Sequence, residues 1–212
     1  MGSVPSPNIT VHLIWYGSWS SVVESSGNLH GHNGFRSDTV SHSGTGKERP
    51  FSVPRSKVTR LAVQSVISTA IRAKTNPLPT DPNGGLYLVL TSSDILVEGL
   101  CQSIFGFHYF TFPSILGYTF PFAWVGNSEK MCASLCVFPF VVPKYMHGVK
   151  ALKPPNGQPG EDAMISVIGH ELAELATIFL RNGWYGGNDP YFQTGVGDYV
   201  KDSMAAGAAG HT

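Results

Sequence analysis

Residues 86–91, LYLVLT, form an almost unbroken apolar run with turn-forming residues on both sides. DPNGG precedes the run at residues 81–85, and SSD follows it at residues 92–94. A short apolar run between two turns is typical of a strand with both faces buried, as in the centre of an α/β sheet. We therefore predict a central strand at Leu86–Thr91.

The segments on either side of this strand predict the rest of a sheet. Ile9–Tyr16 (ITVHLIWY) alternates between two largely apolar faces, which indicates a second covered strand. Val58–Lys74 has the apolar spacing of an amphipathic helix, and a strand–helix–strand order favours a right-handed crossover. Short aromatic runs at residues 106–110 and 122–125 indicate further strands. The order of these segments predicts a mixed α/β fold, with helices packed on one mixed sheet.

Length and composition agree with a single domain over residues 1–212 that is rich in loops, since the chain has 24 Gly and 15 Pro. Ser, Gly, His and Asn dominate residues 21–54, which we predict to be an irregular or disordered insert. The low-complexity end, residues 203–212, is predicted to fray. Two histidines lie in predicted strands. His12 is interpreted as a hydrogen-bonded strand residue, and His108 as a packed histidine of an aromatic cluster.

The charge pattern excludes several classes of partner. Lys and Arg number 14, Asp and Glu also number 14, and charged residues make up 13% of the chain. Nucleic acids and anionic membrane surfaces require basic clusters, so neither is expected as a partner. The sequence has no apolar run of about 18 residues, so we expect no transmembrane helix. Residues 1–8 have neither the basic nor the apolar region of a signal peptide.

Asp162–Trp184 is the longest strongly periodic segment and is predicted to be a helix. Its apolar positions form one stripe: Ile165, Ile168, Leu172, Leu175, Ala176 and Phe179. His170 and Glu174 are one turn apart on the opposite face, and Glu171 lies between the two faces. The resulting His-Glu-x-x-Glu pattern differs by one residue from the His-Glu-x-x-His of zinc hydrolases.

Two interpretations of this helix remain open. In the first, His170 and Glu174 bind zinc, because zinc accepts both imidazole and carboxylate ligands, and Glu171 is the general base. In the second, the helix is an ordinary amphipathic helix whose His/Glu face is solvated. A third protein ligand would favour the first interpretation, since a catalytic zinc needs about three ligands and an open position.

The chain has three cysteines, so at least one thiol lies outside any disulfide within the chain. Cys132 and Cys136 are four residues apart and could close a small loop in an oxidising compartment. They could equally be ordinary buried thiols.

Several long motifs resemble the plant EXORDIUM-like proteins, also called the phosphate-induced protein 1 family. They are LIWYGSWS, GGLYLVLTSSD, GFHYFTFPSILGYTFPFAWVGNSE, ALKPPNG and ISVIGHELAELAT, in that order. The resemblance covers about residues 8–20 and 57–200. It implies a secreted protein of the plant apoplast that is associated with cell expansion and growth responses, has no assigned reaction and acts through unknown cell-wall or extracellular partners.

The resemblance also bears on the metal and cysteine hypotheses. Family members with this helix are similar to zinc-protease-like sequences, in which an acidic stretch follows the helix, and Asp198 matches the aspartate of that stretch. Gly195 and Val200 stand where the stretch has Glu and Cys. The resemblance implies that Cys101 belongs to a pair of cysteines, but Phe105 stands at the partner position. We therefore expect Cys101 to be buried and unpaired, and Cys132 and Cys136 to be close enough to bridge.

Three functional hypotheses follow. The first is a growth-related extracellular protein without catalysis. The second is a zinc-dependent peptidase or its inactive descendant, with His170, Glu174 and Asp198 as metal ligands and Glu171 as the catalytic base. The third is a structural domain whose His/Glu face is only solvated. Zinc is the one cofactor that the sequence suggests.

Overall fold

A computed structural model describes residues 9–17, 19, 36–41, 58–74, 77–102, 104–177, 185–186 and 194–195. One five-stranded sheet runs through this part of the chain in the order β2-β1-β3-β5-β4. Its strands are β1 (Thr10–Tyr16), β2 (Arg36–Ser41), β3 (Gly85–Thr91), β4 (Gly106–Phe110) and β5 (Pro121–Gly126). Four of the strands are parallel, whereas the edge strand β4 pairs antiparallel with β5. A separate antiparallel pair consists of β6 (Tyr185–Gly186) and β7 (Thr194–Gly195).

Strand β3 lies in the middle of this sheet, and all seven of its residues are buried. Tyr87 and Val89 point into one apolar layer, while Leu86, Leu88 and Leu90 point into the other. This alternation follows from the period of two along a strand. A central strand therefore needs an apolar side chain at almost every position, which is why LYLVLT lacks the polar alternation of a half-exposed strand.

Helix α1 (Arg60–Ile71) covers the first layer. Its buried apolar residues, Val63, Val66, Ile67 and Ala70, pack with Tyr87, Phe122 and Trp124 of the sheet. Thr59 caps the helix, because its side-chain oxygen accepts a hydrogen bond from the amide of Ala62 at 3.1 Å.

Three more helices follow: α2 (Pro113–Leu116), α3 (Glu129–Cys136) and α4 (Pro159–Thr177). Helix α4 covers the second layer, where Met164 and Leu175 pack with Leu88, Ala123 and Val125. It lies against β4 and β5, at the edge of the sheet. The helices on both faces make a three-layer α/β arrangement that places α4 over the antiparallel edge strand.

The predicted mixed α/β fold is confirmed, including the strands at β1, β3, β4 and β5 and the helix that becomes α1. Within residues 21–54, the structure describes only Arg36–Ser41, and there the prediction of irregular chain is wrong. These six residues form β2, because their backbone pairs in parallel register with β1. Residues 203–212 lie outside the described residues.

Helix bounds also differ from prediction. Helix α4 begins at Pro159 rather than at Asp162, and proline suits the first turn because its missing N–H has no partner there. The predicted end at Trp184 lies outside the described residues. None of the helices in the described part of the chain has the length and apolar character that a membrane-spanning helix requires.

Replacing Leu88 by Ala should lower the free energy of unfolding by about 2–5 kcal/mol, because the side chain is 1% exposed and a cavity would remain between the layers. Leu152→Ala is the matched control, since Leu152 is 56% exposed and its truncation should cost less than about 0.5 kcal/mol. Urea unfolding followed by circular dichroism measures both. Equal effects of the two substitutions would contradict the placement of β3.

Candidate metal centre

A cluster of ionisable side chains lies between β4 and α4. The Nδ1 atom of His108 is 3.0 Å from Oε2 of Glu171 and 3.1 Å from Oε2 of Glu174. One ligand atom from each of these three residues lies within 4.8 Å of the others. His170 adjoins the cluster, with its Nε2 atom 3.6 Å from Oε2 of Glu174. The four side chains thus come from one strand and one helix.

The alternation of β4 explains how His108 reaches the helix. Phe107 and Tyr109 pack against the first apolar layer, on the α1 side of the sheet. His108 stands between them in sequence and therefore points to the opposite face, which α4 covers. The contact with Glu171 and Glu174 agrees with this direction.

Glycine at position 106 allows the helix to approach the strand closely. A Cβ atom at Gly106 would lie 2.8 Å from Oε1 of Glu171 and 2.8 Å from Cγ1 of Val167. Those distances are too short for real contacts, so a larger residue would push α4 and its carboxylates away from β4. The glycine that opens β4 therefore helps to set the distance between His108 and the two glutamates.

The electrostatics of the cluster follow from burial combined with opposite charge. Burial of His108 by itself lowers its pKa, but hydrogen bonds and charge interactions with Glu171 and Glu174 outweigh burial and raise the pKa to about 9. Burial of Glu174 favours its neutral form. The hydrogen bond to His108 and the charges of His170 and His108 act more strongly, so the pKa of Glu174 is lowered. An imidazolium between two carboxylates is thus the stable state of the metal-free cluster at neutral pH.

The donor set also fits a divalent metal ion. Zinc binds imidazole nitrogen and carboxylate oxygen at about 2.0–2.2 Å in tetrahedral geometry, which separates neighbouring ligand atoms by about 3.4 Å. The distances of 3.0 and 3.1 Å between His108 and the glutamates are close to that separation. The 3.6 Å between His170 and Glu174 is close to it as well. A metal could therefore replace the His108 proton with small movements of the side chains.

The structure brings together three of the four residues that the sequence singles out. Glu171 and Glu174 face His108, and His170 lies beside Glu174. Asp198 lies outside the described residues. The interpretation of His108 as a packing histidine is wrong, because its side chain pairs with both glutamates. The sequence GFHYF indicates the direction of the His108 side chain. In a strand, a polar residue between two aromatic neighbours faces away from the layer that those neighbours fill.

The buried face of α4 agrees only in part with the predicted apolar stripe: Leu175 is buried, and Ile168 and Leu172 pack against the second layer. Ile165 belongs to the predicted stripe but is 53% exposed, whereas the Glu171 side chain is only 5% exposed. The buried side centres on Met164, Glu171 and Leu175. Apolar periodicity missed this because a buried carboxylate counts as polar in any such pattern, although His108 supplies the positive charge that makes its burial possible.

The cysteine pairing also differs from prediction. A disulfide joins Cys101 to Cys132, so the expectation that Cys101 is buried and unpaired is wrong. Cys101 is also only partly buried.

Cys136 lies outside the disulfide, yet its Sγ atom is 3.3 Å from Sγ of Cys132, so the expected proximity of these two cysteines holds for their sulfur atoms. Cys132 and Cys136 both lie in α3. The spacing of cysteines along the sequence does not predict a disulfide between residues that only the fold brings together, such as Cys101 and Cys132.

The sequence matches the phosphate-induced protein 1 conserved region over residues 22–211. It is 41% identical to Protein EXORDIUM-like 3 of Arabidopsis thaliana, an alignment that covers 99% of this chain and 70% of that protein. The chain belongs to the phosphate-induced protein 1 family. The β4 and α4 residues of the cluster lie within the region that matches the family.

Two further relatives extend the comparison within the phosphate-induced protein 1 family. Protein EXORDIUM-like 5 of Arabidopsis thaliana is 49% identical over 72% of this chain. Protein PHOSPHATE-INDUCED 1 of Nicotiana tabacum is 39% identical over 47% of it. The chain spans 42% and 33% of the lengths of these two relatives. More than half of each relative therefore lies outside the region aligned with this chain. No solved structure matches the chain.

In the metal-free protein, His108 should titrate near pH 9. Because this pKa lies above the ordinary value of 6.5, the protonated cluster stabilises the fold fully below about pH 6.5, and the contribution is lost as pH rises through about 9. Changing both Glu171 and Glu174 to Gln should bring the pKa of His108 below 6.5, since burial then acts alone. NMR titration of the imidazole protons measures both values. A wild-type pKa at or below 6.5 would contradict the cluster.

Proposed function

We propose that this chain acts in the plant extracellular space as a growth-related protein of the EXORDIUM-like type, and that its cluster of histidines and glutamates holds a divalent metal ion, with zinc the best fit. The observation that carries the metal assignment is the convergence of His108, Glu171 and Glu174 between β4 and α4. Membership of the phosphate-induced protein 1 family supports the growth-related role in cell expansion.

The disulfide between Cys101 and Cys132 supports an extracellular location. Disulfides persist in oxidising environments such as the cell exterior and are rare in the cytosol. The bond joins residues 31 positions apart, so it constrains the folded domain as structural disulfides do in secreted proteins. The partners of the protein are expected to be cell-wall or other extracellular molecules.

The proposed metal ligands are His108, Glu171 and Glu174, with His170 as a fourth donor. The Nδ1 atom of His108 lies 3.0 and 3.1 Å from the two glutamate oxygens, close to the separation of neighbouring zinc ligands, and His170 lies beside Glu174. Asp198, expected from the family resemblance, lies outside the described residues, and a three-ligand site does not need it. When bound, the ion would neutralise the buried carboxylates and cross-link the edge strand to α4.

The peptidase alternative requires a different role for Glu171. As a general base it would have to stay outside the ligand set and reach a reacting proton directly. Its Oε2 atom instead contacts His108 at 3.0 Å, inside the group of converging donors. This position favours a role for Glu171 in holding the metal and makes a non-catalytic metal centre the better-supported function. The HELAE pattern keeps the peptidase as the second candidate.

The metal-free protein should bind one zinc or cobalt ion per chain, and His108→Ala should lower the affinity at least about tenfold, because it removes one of three converging ligands. Isothermal titration calorimetry measures the affinity, and the visible spectrum of bound cobalt reports the ligand geometry. Binding should also raise Tm, since the ion binds the folded state.

Two matched variants control for general effects of substitution. His147→Ala and Glu98→Gln change exposed residues of the same types away from the cluster and should bind metal like the wild type. Glu174→Gln should weaken binding as His108→Ala does. Identical affinities across all of these variants, or no metal in the purified wild type after zinc loading, would overturn the metal assignment.

Zinc-loaded protein should show no cleavage of denatured casein or of a mixed peptide library beyond that of the Glu171→Gln variant. The physical reason is that Glu171 occupies the ligand set and is not positioned as a base. Mass spectrometry of the peptide mixture measures this. Cleavage by the wild type that is lost in Glu171→Gln, with metal still bound, would instead establish the peptidase alternative.

A further inference from the structure

Three sulfur atoms meet where the segment after β3 touches α3. Cys101 is bonded to Cys132, and the Cys136 sulfur lies 3.3 Å from that of Cys132. All three cysteines are partly exposed, so solvent reaches the group. The cluster of His108, Glu171 and Glu174 does not include these sulfurs. A thiol within contact distance of a disulfide sulfur is the arrangement from which thiol–disulfide exchange proceeds.

We propose that Cys101, Cys132 and Cys136 form an intramolecular thiol–disulfide exchange site. Cys136 loses its proton to solvent, and its thiolate attacks Sγ of Cys132. A Cys132–Cys136 bond forms, the Cys101–Cys132 bond breaks, and Cys101 leaves as a thiolate that takes a proton from solvent. One disulfide and one thiol are present before and after, so the step needs no oxidant or reductant.

The backbone around these residues is arranged for such a change. Cys132 has non-helical dihedral angles within α3, at φ −153° and ψ 48°. In a regular helix, Cβ atoms four residues apart lie about 5–6 Å from each other, whereas a disulfide needs about 3.5–4.5 Å. The break in α3 at Cys132 therefore places adjustable backbone where the new bond requires the turn to tighten.

The leaving residue also has a reason to move. Cys101 has a φ of +67°, in the left-handed region that residues with a Cβ atom seldom occupy. Its bond to Cys132 ties the segment between β3 and β4 to α3. Once released, Cys101 can relax, and the segment loses its covalent link to α3. Strand β4, which carries His108, begins only a few residues later at Gly106.

Peptide mapping can separate the two disulfides. Trypsin cuts after Lys74, Lys130 and Lys144, so Cys101 lies in peptide 75–130, whereas Cys132 and Cys136 share peptide 131–144. The protein is incubated without reductant at about pH 8, where thiolate forms readily. It is then denatured in acid containing a maleimide, digested and sequenced by mass spectrometry. We expect two populations, one with 75–130 cross-linked to 131–144, the other with a loop in 131–144 and maleimide on Cys101.

Two variants sharpen the test. Cys136→Ser removes the attacking thiol and should leave only the cross-linked peptides, with no maleimide on Cys101. Cys101→Ser leaves the thiols of Cys132 and Cys136, which should bridge in oxidised glutathione. The proposal is overturned if the wild type carries maleimide only on Cys136 after prolonged incubation. It is equally overturned if Cys101→Ser forms only mixed disulfides with glutathione, or if Cys136→Ser labels Cys101 as the wild type does.

Discussion

Glu171 and Glu174 project from one turn of α4 toward the sheet, and burying two carboxylates side by side is costly unless positive charge lies beside them. His108 supplies that charge from β4, and His170 adds to it beside Glu174. The requirement reaches beyond the site. Pairing the two carboxylates with positive charge fixes which face of α4 meets the sheet and requires a histidine in the middle of the edge strand. It also requires glycine at position 106, so that helix and strand can approach each other.

The sequence predicts the central strand because that strand obeys one rule along its whole length. Every residue of β3 is buried, so its apolar character is continuous and visible without any partner. Helix α1 is nearly as clear, because most of its buried positions are apolar and none of them is charged. These elements are decided mainly by the hydrophobic effect, which is the term that residue patterns record most directly.

Elements that depend on a partner distant in sequence are the ones that pattern reasoning misses. Glu171 is 63 residues from His108, and a pattern centred on apolar residues places it between the two faces of α4 rather than on the buried one. Cys101 and Cys132 are 31 residues apart, so proximity in sequence favoured Cys136 as the partner instead. Strand β2 has few apolar residues and is recognised only by its backbone pairing with β1. In each case the deciding contact is made across the fold.

In the proposed metal centre, a proton and a metal ion would be alternative occupants of the same position. Nδ1 of His108 can hold a proton between the two carboxylates or donate its lone pair to a cation, but it cannot do both at once. Because the neighbouring carboxylates raise the pKa of His108 to about 9, they stabilise the competing proton as well as the metal. Near neutral pH that proton lowers metal affinity by about two orders of magnitude relative to a deprotonated site. Acid would therefore favour the imidazolium and alkali the proposed metal, and either cation would cross-link β4 to α4. The same buried carboxylates thus secure the edge strand whichever cation is present.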